Sequence, residues 1–173
     1  MKIINDQFKI DDKSVLNYYE IKTDNPKLLL LHAQGTNSLS FMSVINKLSK
    51  YFHIYLVDYY GHGKSSFNRE KYNLIDIGND IIRFIEEVIK DNVSILGHSS
   101  GGLIASYIAS NCELCSRLIL EDPPFFASVG ERRFNTYIEK ADYQSYHSRR
   151  DGTGGSRGLA GRGRKRGCEQ GDC

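Results

Sequence analysis

The sequence predicts an α/β fold: a mostly parallel, twisted sheet with helices on both faces. Short continuous apolar runs such as Leu28-Leu29-Leu30-Leu31 suit strands buried on both faces. Between them lie segments whose apolar residues recur at helical spacing. Each run ends in a loop of unusual composition, HAQG, DYYGHG or GHSSGG, too rich in His, Gly and Ser for mere connection.

In chain order, Phe8–Ile10 and Val15–Ile21 read as a hairpin, bounded by Asp11-Asp12 and Asn25-Pro26. Lys27–Leu31 is a strand stopped by His32-Ala33-Gln34-Gly35. Phe41, Val44, Ile45, Leu48 and Phe52 mark a helix over Phe41–Phe52, and His53–Val57 a second buried strand. Ile77, Ile81, Ile82, Ile85 and Ile89 give one face of a helix over Leu74–Ile89, with Asp76, Asp80, Glu86 and Glu87 on the others. Val93–Leu96 is a strand, Gly101–Ser110 a helix of small residues, and Leu118–Leu120 a strand closing at Glu121-Asp122-Pro123-Pro124. Right-handed crossovers then place the helices on the sheet faces and the loops beyond the strand carboxyl ends.

The 173 residues, 40% hydrophobic and 25% charged, have the composition of one globular domain. No run approaches the length of a membrane span. MKIINDQFKI has no basic and then apolar leader pattern, so a cytoplasmic protein without membrane contact is expected. The average conceals a seam. Residues 1–148 carry 16 basic and 18 acidic side chains, whereas 149–173 carry 7 and 3, with 8 of the 16 glycines and no Ile, Val, Phe or Tyr. Such a tail cannot bury enough apolar surface to offset its ordering entropy. It is expected to be disordered, and the switch from Lys-rich to Gly/Arg-rich composition reads as a changed reading frame or a fused foreign segment. Three units are expected: a core over 1–127, the start of a lid or a broken continuation over 128–148, and the basic tail over 149–173.

Gly97-His98-Ser99-Ser100-Gly101 fits G-x-S-x-G between a strand and a helix. A nucleophile there stands proud of the sheet on a strained turn. Side chains two before and two after it would clash, which accounts for both glycines. The helix that follows directs backbone N–H groups and its positive end at the same point, where an oxyanion would be stabilised. The loop at Gln34 can supply a second N–H donor beside that of Ser100.

Together these residues resemble the α/β-hydrolase superfamily. LLLLHAQG resembles its third strand and oxyanion loop, HIYLVDYYGHGKSS its fourth strand and the loop after it, SILGHSSGG its fifth strand and nucleophile elbow, and RLILEDPPF its sixth strand. The resemblance runs over roughly Phe8–Phe126, so the fold is expected to stop after about the sixth strand. It implies Ser99 as nucleophile, the N–H groups of Gln34 and Ser100 as oxyanion hole, and a small-molecule acyl substrate (an ester, thioester or amide) with no cofactor and no metal. Ala33 stands where the family usually has glycine. Asp122 is a candidate acid in the variant that places it after the sixth strand; the other reading is a residue that begins the Pro-Pro loop. The family's late histidine has no counterpart, since the only His after Ser99 is His147 in YQSYHSRR. Without that base the hydroxyl lacks its proton shuttle, and these 173 residues are not expected to turn over substrate. A sheet ending at the sixth strand also exposes an edge, so self-association is expected.

Other signals are weaker. Cys112 and Cys115 have metal-like spacing, but Cys168 and Cys173 lie in glycine-rich chain and cannot complete a rigid four-ligand site. Gly61–Ser66 ends like a phosphate loop, yet Asp58 stands where such a loop needs glycine and would repel a phosphate. Tyr18, Tyr19, Tyr51, Tyr55, Tyr59 and Tyr60 read as packing and rim aromatics. The alternative from another class is a non-catalytic binding protein whose tail contacts RNA or another polyanion. The intact G-x-S-x-G loop favours the hydrolase reading, and nucleic acid is the less expected partner.

Overall fold

In the computed structural model, which describes residues 2–67 and 72–125, the crossovers expected from the sequence form a six-stranded sheet. Its strands are β1 (Ile4–Lys9), β2 (Val15–Ile21), β3 (Lys27–Leu31), β4 (His53–Asp58), β5 (Val93–His98) and β6 (Cys115–Glu121), in spatial order β1-β2-β4-β3-β5-β6. β1 and β2 form the antiparallel hairpin, and β2 joins β4 antiparallel. The pairings of β3 with β4, β3 with β5 and β5 with β6 are parallel. The helices are α1 (Met42–Leu48), α2 (Leu74–Phe84) and α3 (Ser100–Asn111).

Alternation along the strands assigns each helix to a face. Leu28 and Leu30 of β3, with Ile54 and Leu56 of β4, pack on Ile45 of α1. Leu29 and Leu31, with Val57, Val93 and Ile95, pack on the other face against Ile77, Ile81 and Phe84 of α2 and Ile104 and Ile108 of α3. β3 is therefore covered on both faces and paired on both edges. Burying each of its leucines stabilises the fold by roughly 1.5–3 kcal/mol. The N-terminus of α2 is set by Asn73, whose Oδ1 accepts from the Asp76 N–H at 2.8 Å. Asp76 adds a carboxylate to the positive end of the helix.

Four boundaries differ by three residues or more from the sequence reading; β4, β5 and α3 shift by one or two. The first strand runs over Ile4–Lys9, not Phe8–Ile10, because its ladder to β2 begins at Ile4 opposite Glu20. The first helix stops at Leu48; Phe52 keeps helical spacing because it packs on the same cluster from the following turn, with its N–H on the Leu48 carbonyl. The second helix changes character at Ile85–Ile89, a π-helical turn in which the Lys90 N–H donates to the Ile85 carbonyl at 2.8 Å. Lys90 then ends it in the left-handed region at φ 55°. β6 extends over Cys115–Glu121 because its pairing with β5 continues on both sides of Leu118–Leu120. Among the described residues β6 is a sheet edge, and Leu118, Ile119 and Leu120 are exposed on it. Also among the described residues, no helix is long and apolar enough to cross a membrane. The expectations for 128–148, the 149–173 tail and His147 lie outside the described residues.

Candidate active site

The chain runs from β3 outward to β4, then returns past β3 to β5, so the order reverses at β3. In open α/β sheets ligands bind in the crevice beyond the strand carboxyl ends at such a reversal. The loops that meet there are those after β3, β4, β5 and β6, which carry every site residue expected from the sequence.

Ser99 sits between β5 and α3 at φ 53°, ψ −117°, a backbone conformation that non-glycine residues rarely adopt. It is held there from both sides. Its N–H donates to the Glu121 carbonyl of β6 at 2.8 Å, and its carbonyl accepts from the Gly102 N–H at 2.9 Å. The turn is compressed against its surroundings. A Cβ on Gly97 would collide with the Gly101 carbonyl, and one on Gly101 with the carbonyl oxygens of Leu31 and His32. The two glycines of the pattern thus allow β5 to close on α3 and the Ser99 turn to close on the end of β3. Among the described residues no side chain hydrogen-bonds the Ser99 hydroxyl.

The β3 loop forms a tight turn over residues 33–36. The Thr36 N–H donates to the Ala33 carbonyl at 3.2 Å, and Gly35 takes φ 73°. Gln34 is half-buried in this turn. His32, fully buried beneath it, stacks on the Tyr59 ring at 3.9 Å and lies 5.0 Å from the His62 ring. Its Nδ1 is 2.8 Å from the Ala33 carbonyl, which can only accept, so the proton is on Nδ1. Burial, reinforced by the neighbouring His62, pushes the His32 pKa down to about 3, so the ring is neutral at physiological pH and a weak base. The Gly35 N–H donates to His62 Nε2 at 3.4 Å, and His62 Nδ1 faces the Tyr60 carbonyl at 2.8 Å.

Tyr59 ties the two loops together. Its hydroxyl donates to the His32 carbonyl at 2.6 Å and lies 3.3 Å from Ser100 Oγ, so the Ser100 hydroxyl donates to it. Ser100 is buried as the first residue of α3. Asp122 directly follows β6 at φ 48° and is exposed; among the described residues it hydrogen-bonds no histidine. Its flanks nevertheless touch the Ser99 turn, through Glu121 to Ser99 and through Pro123 beside Gly102. The structure therefore brings Gln34, Ser99 and Ser100 to one end of the sheet and leaves Asp122 at its border.

Tyr59 and His62 also contact the β3 loop, which the sequence reading did not anticipate. The sequence placed Tyr59 among packing aromatics, and nothing local shows that its hydroxyl reaches a loop 27 residues earlier. Asp58 is legible in retrospect. Its carboxylate accepts from the Ser38 and Lys64 N–H groups at 2.8 and 3.0 Å and from Asn17 Nδ2 at 3.2 Å. The backbone donor that a phosphate loop would direct at an anion is thus already held by the chain's own carboxylate. Cys112 is buried in the core, and among the described residues no group of three or more His, Cys, Asp or Glu could hold a metal ion.

A reversal of strand order at β3, a serine of positive φ between a strand and a helix, and a tight turn beside it define a fold of the α/β-hydrolase type. Residues 26–142 match the family model described as alpha/beta hydrolase fold, and the chain belongs to that family. It is 32% identical over 123 residues to a putative esterase/lipase of Haemophilus influenzae, a match covering 68% of this chain and 42% of the relative. It is 30% identical over 118 residues to a pimeloyl-(acyl-carrier protein) methyl ester esterase of Yersinia pseudotuberculosis, covering 67% of this chain and 44% of the relative. Among solved structures, an esterase from Exiguobacterium antarcticum superposes with a TM-score of 0.63 at 28% identity, covering 69% of this chain and 46% of that one. The chain spans less than half the length of each of these three relatives.

Proposed function

We propose that the protein is a serine hydrolase acting on a small ester, thioester or amide through an acyl-Ser99 intermediate. In this reading Ser99 Oγ attacks the carbonyl carbon, the carbonyl oxygen takes the negative charge, and the N–H groups of Gln34 and Ser100 stabilise it. The observation that carries the reading is Ser99 at φ 53° between β5 and α3, compressed against the end of β3. A strained backbone at a functional position is retained when the surrounding structure over-determines it, and the Glu121 and Gly102 hydrogen bonds do so here. The esterase names of the relatives point the same way.

The proton-transfer half of the cycle is separate. His32 is too weak a base to take the Ser99 proton, and His62 is engaged at both ring nitrogens. Asp122 remains a candidate acid, and His147, the only histidine after Ser99, lies outside the described residues. In this reading the described residues offer a nucleophile and oxyanion donors with no base paired to Ser99 among them, and slow stoichiometric acylation without turnover is expected of the 173-residue chain. An oxyanion hole and binding alone still accelerate acyl transfer by about 10³–10⁴ over water. Treatment with a fluorophosphonate, with intact mass as readout, tests the reading: one adduct that is absent in Ser99→Ala supports it, and an adduct that persists in Ser99→Ala refutes it.

A further inference from the structure

The Ala33 carbonyl receives more donors than a turn requires. The Thr36 N–H reaches it at 3.2 Å, the Thr36 hydroxyl at 2.7 Å and His32 Nδ1–H at 2.8 Å. This carbonyl belongs to the same peptide unit as the Gln34 N–H. The unit is planar and trans, so its C=O and N–H point in opposite directions and rotate only together. Holding the oxygen therefore aims the hydrogen. Donation to the oxygen also polarises the unit and makes its N–H a stronger donor.

We propose that Thr36 and His32 are positioning residues that orient and strengthen the Gln34 N–H as an oxyanion donor, a role that rests on the acyl-Ser99 reading. His32 serves as a donor through Nδ1, which bears the proton in the neutral ring. Its Nδ1 carries the proton to the Ala33 carbonyl, its ring is fixed by stacking on Tyr59, and Tyr59 holds the His32 carbonyl in turn. Thr36 is the informative member. It is exposed, so a turn closed only by its backbone N–H would tolerate valine there without loss. The Oγ1 of Thr36 also lies 3.5 Å from His32 Nδ1, as two donors converging on one oxygen must.

The test uses the 173-residue chain with Thr36→Val, which removes the hydroxyl at nearly constant shape, and Thr36→Ser, which keeps it. Two readouts are taken: the Gln34 amide proton resonance in 15N-labelled protein, and the rate of fluorophosphonate addition at Ser99. Thr36→Val is expected to move the Gln34 amide proton upfield and slow addition about tenfold, less than the 10²–10³ for deleting a whole donor. Thr36→Ser is expected to restore both. A Gln34 resonance unmoved by valine, or moved equally by serine, overturns the proposal. If the resonance behaves as expected but the parent chain takes up no fluorophosphonate, the orientation of Gln34 by Thr36 stands and the acyl-Ser99 reading is what fails.

Discussion

Two turns meet at the carboxyl ends of β3 and β5, and they handle strain in opposite ways. In the turn over residues 33–36 the unusual φ falls on Gly35, which tolerates it, and three donors converge on one carbonyl. In the turn after β5 the unusual φ falls on Ser99, with glycine two positions away on either side and no side-chain partner for its hydroxyl among the described residues. The first turn is built to hold an N–H still. The second leaves the half-buried Ser99 without a side-chain partner for its hydroxyl among the described residues, at a backbone cost of roughly 1–3 kcal/mol. In the proposed reading the first supplies a fixed donor and the second a reactive group left unengaged.

The largest break in this comparison should come from Gly101→Val, because β5, α3 and the end of β3 converge where the new side chain would stand. A loss of about 3 kcal/mol or more is expected in the urea unfolding midpoint; a loss under about 1 kcal/mol would show the compression to be slack. Acid pH should weaken the β3 side next. The folded pKa of His32, about 3, lies below its ordinary 6.5, so between those values the unfolded chain binds the extra proton. Stability is then lost as pH falls through that window and is independent of this group above it, with a total on the order of a few kcal/mol. Denaturant midpoints measured from pH 7 to 4 should fall in the parent and less steeply in His32→Gln.

Smaller effects sharpen the contrast. Tyr59→Phe deletes the hydroxyl that links the His32 carbonyl to Ser100 and should cost about 1–2 kcal/mol, read as a lower thermal midpoint. Ser99→Gly should do the reverse. Relief of the φ 53° strain outweighs the added freedom of the unfolded chain, for a gain of about 1 kcal/mol. A destabilised Ser99→Gly would mean that the turn is not strained.

Much of this architecture was legible because it rests on local demands. Leu28–Leu31 reads as a doubly buried strand and is one, and the glycines at 97 and 101 announce a close approach that their surroundings require. Composition alone does not separate a buried strand from an edge strand; the exposed edge is expected from where the sheet ends, not from the run itself. Leu118-Ile119-Leu120 has the same apolar character as β3, yet lies exposed on an edge among the described residues. Burial is a property of neighbours, which a run of leucines does not specify. The Tyr59, His62 and Thr36 contacts were unreadable for a related reason. Two of them depend on the β4 loop settling against the β3 loop, and the third on which way one peptide unit turns. Asp58 shows the intermediate case: its charge argued against a phosphate site, but its role as the acceptor joining three segments emerges only in the fold.

The central claim is that Ser99 is a nucleophile held out for attack. The measurement that tests it most directly is peptide mapping of the 173-residue chain after prolonged exposure to a fluorophosphonate, beside Ser99→Ala. A single adduct on the peptide containing Ser99, formed slowly and missing from the variant, is the predicted result. No adduct, or one carried by another residue in both proteins, would contradict it.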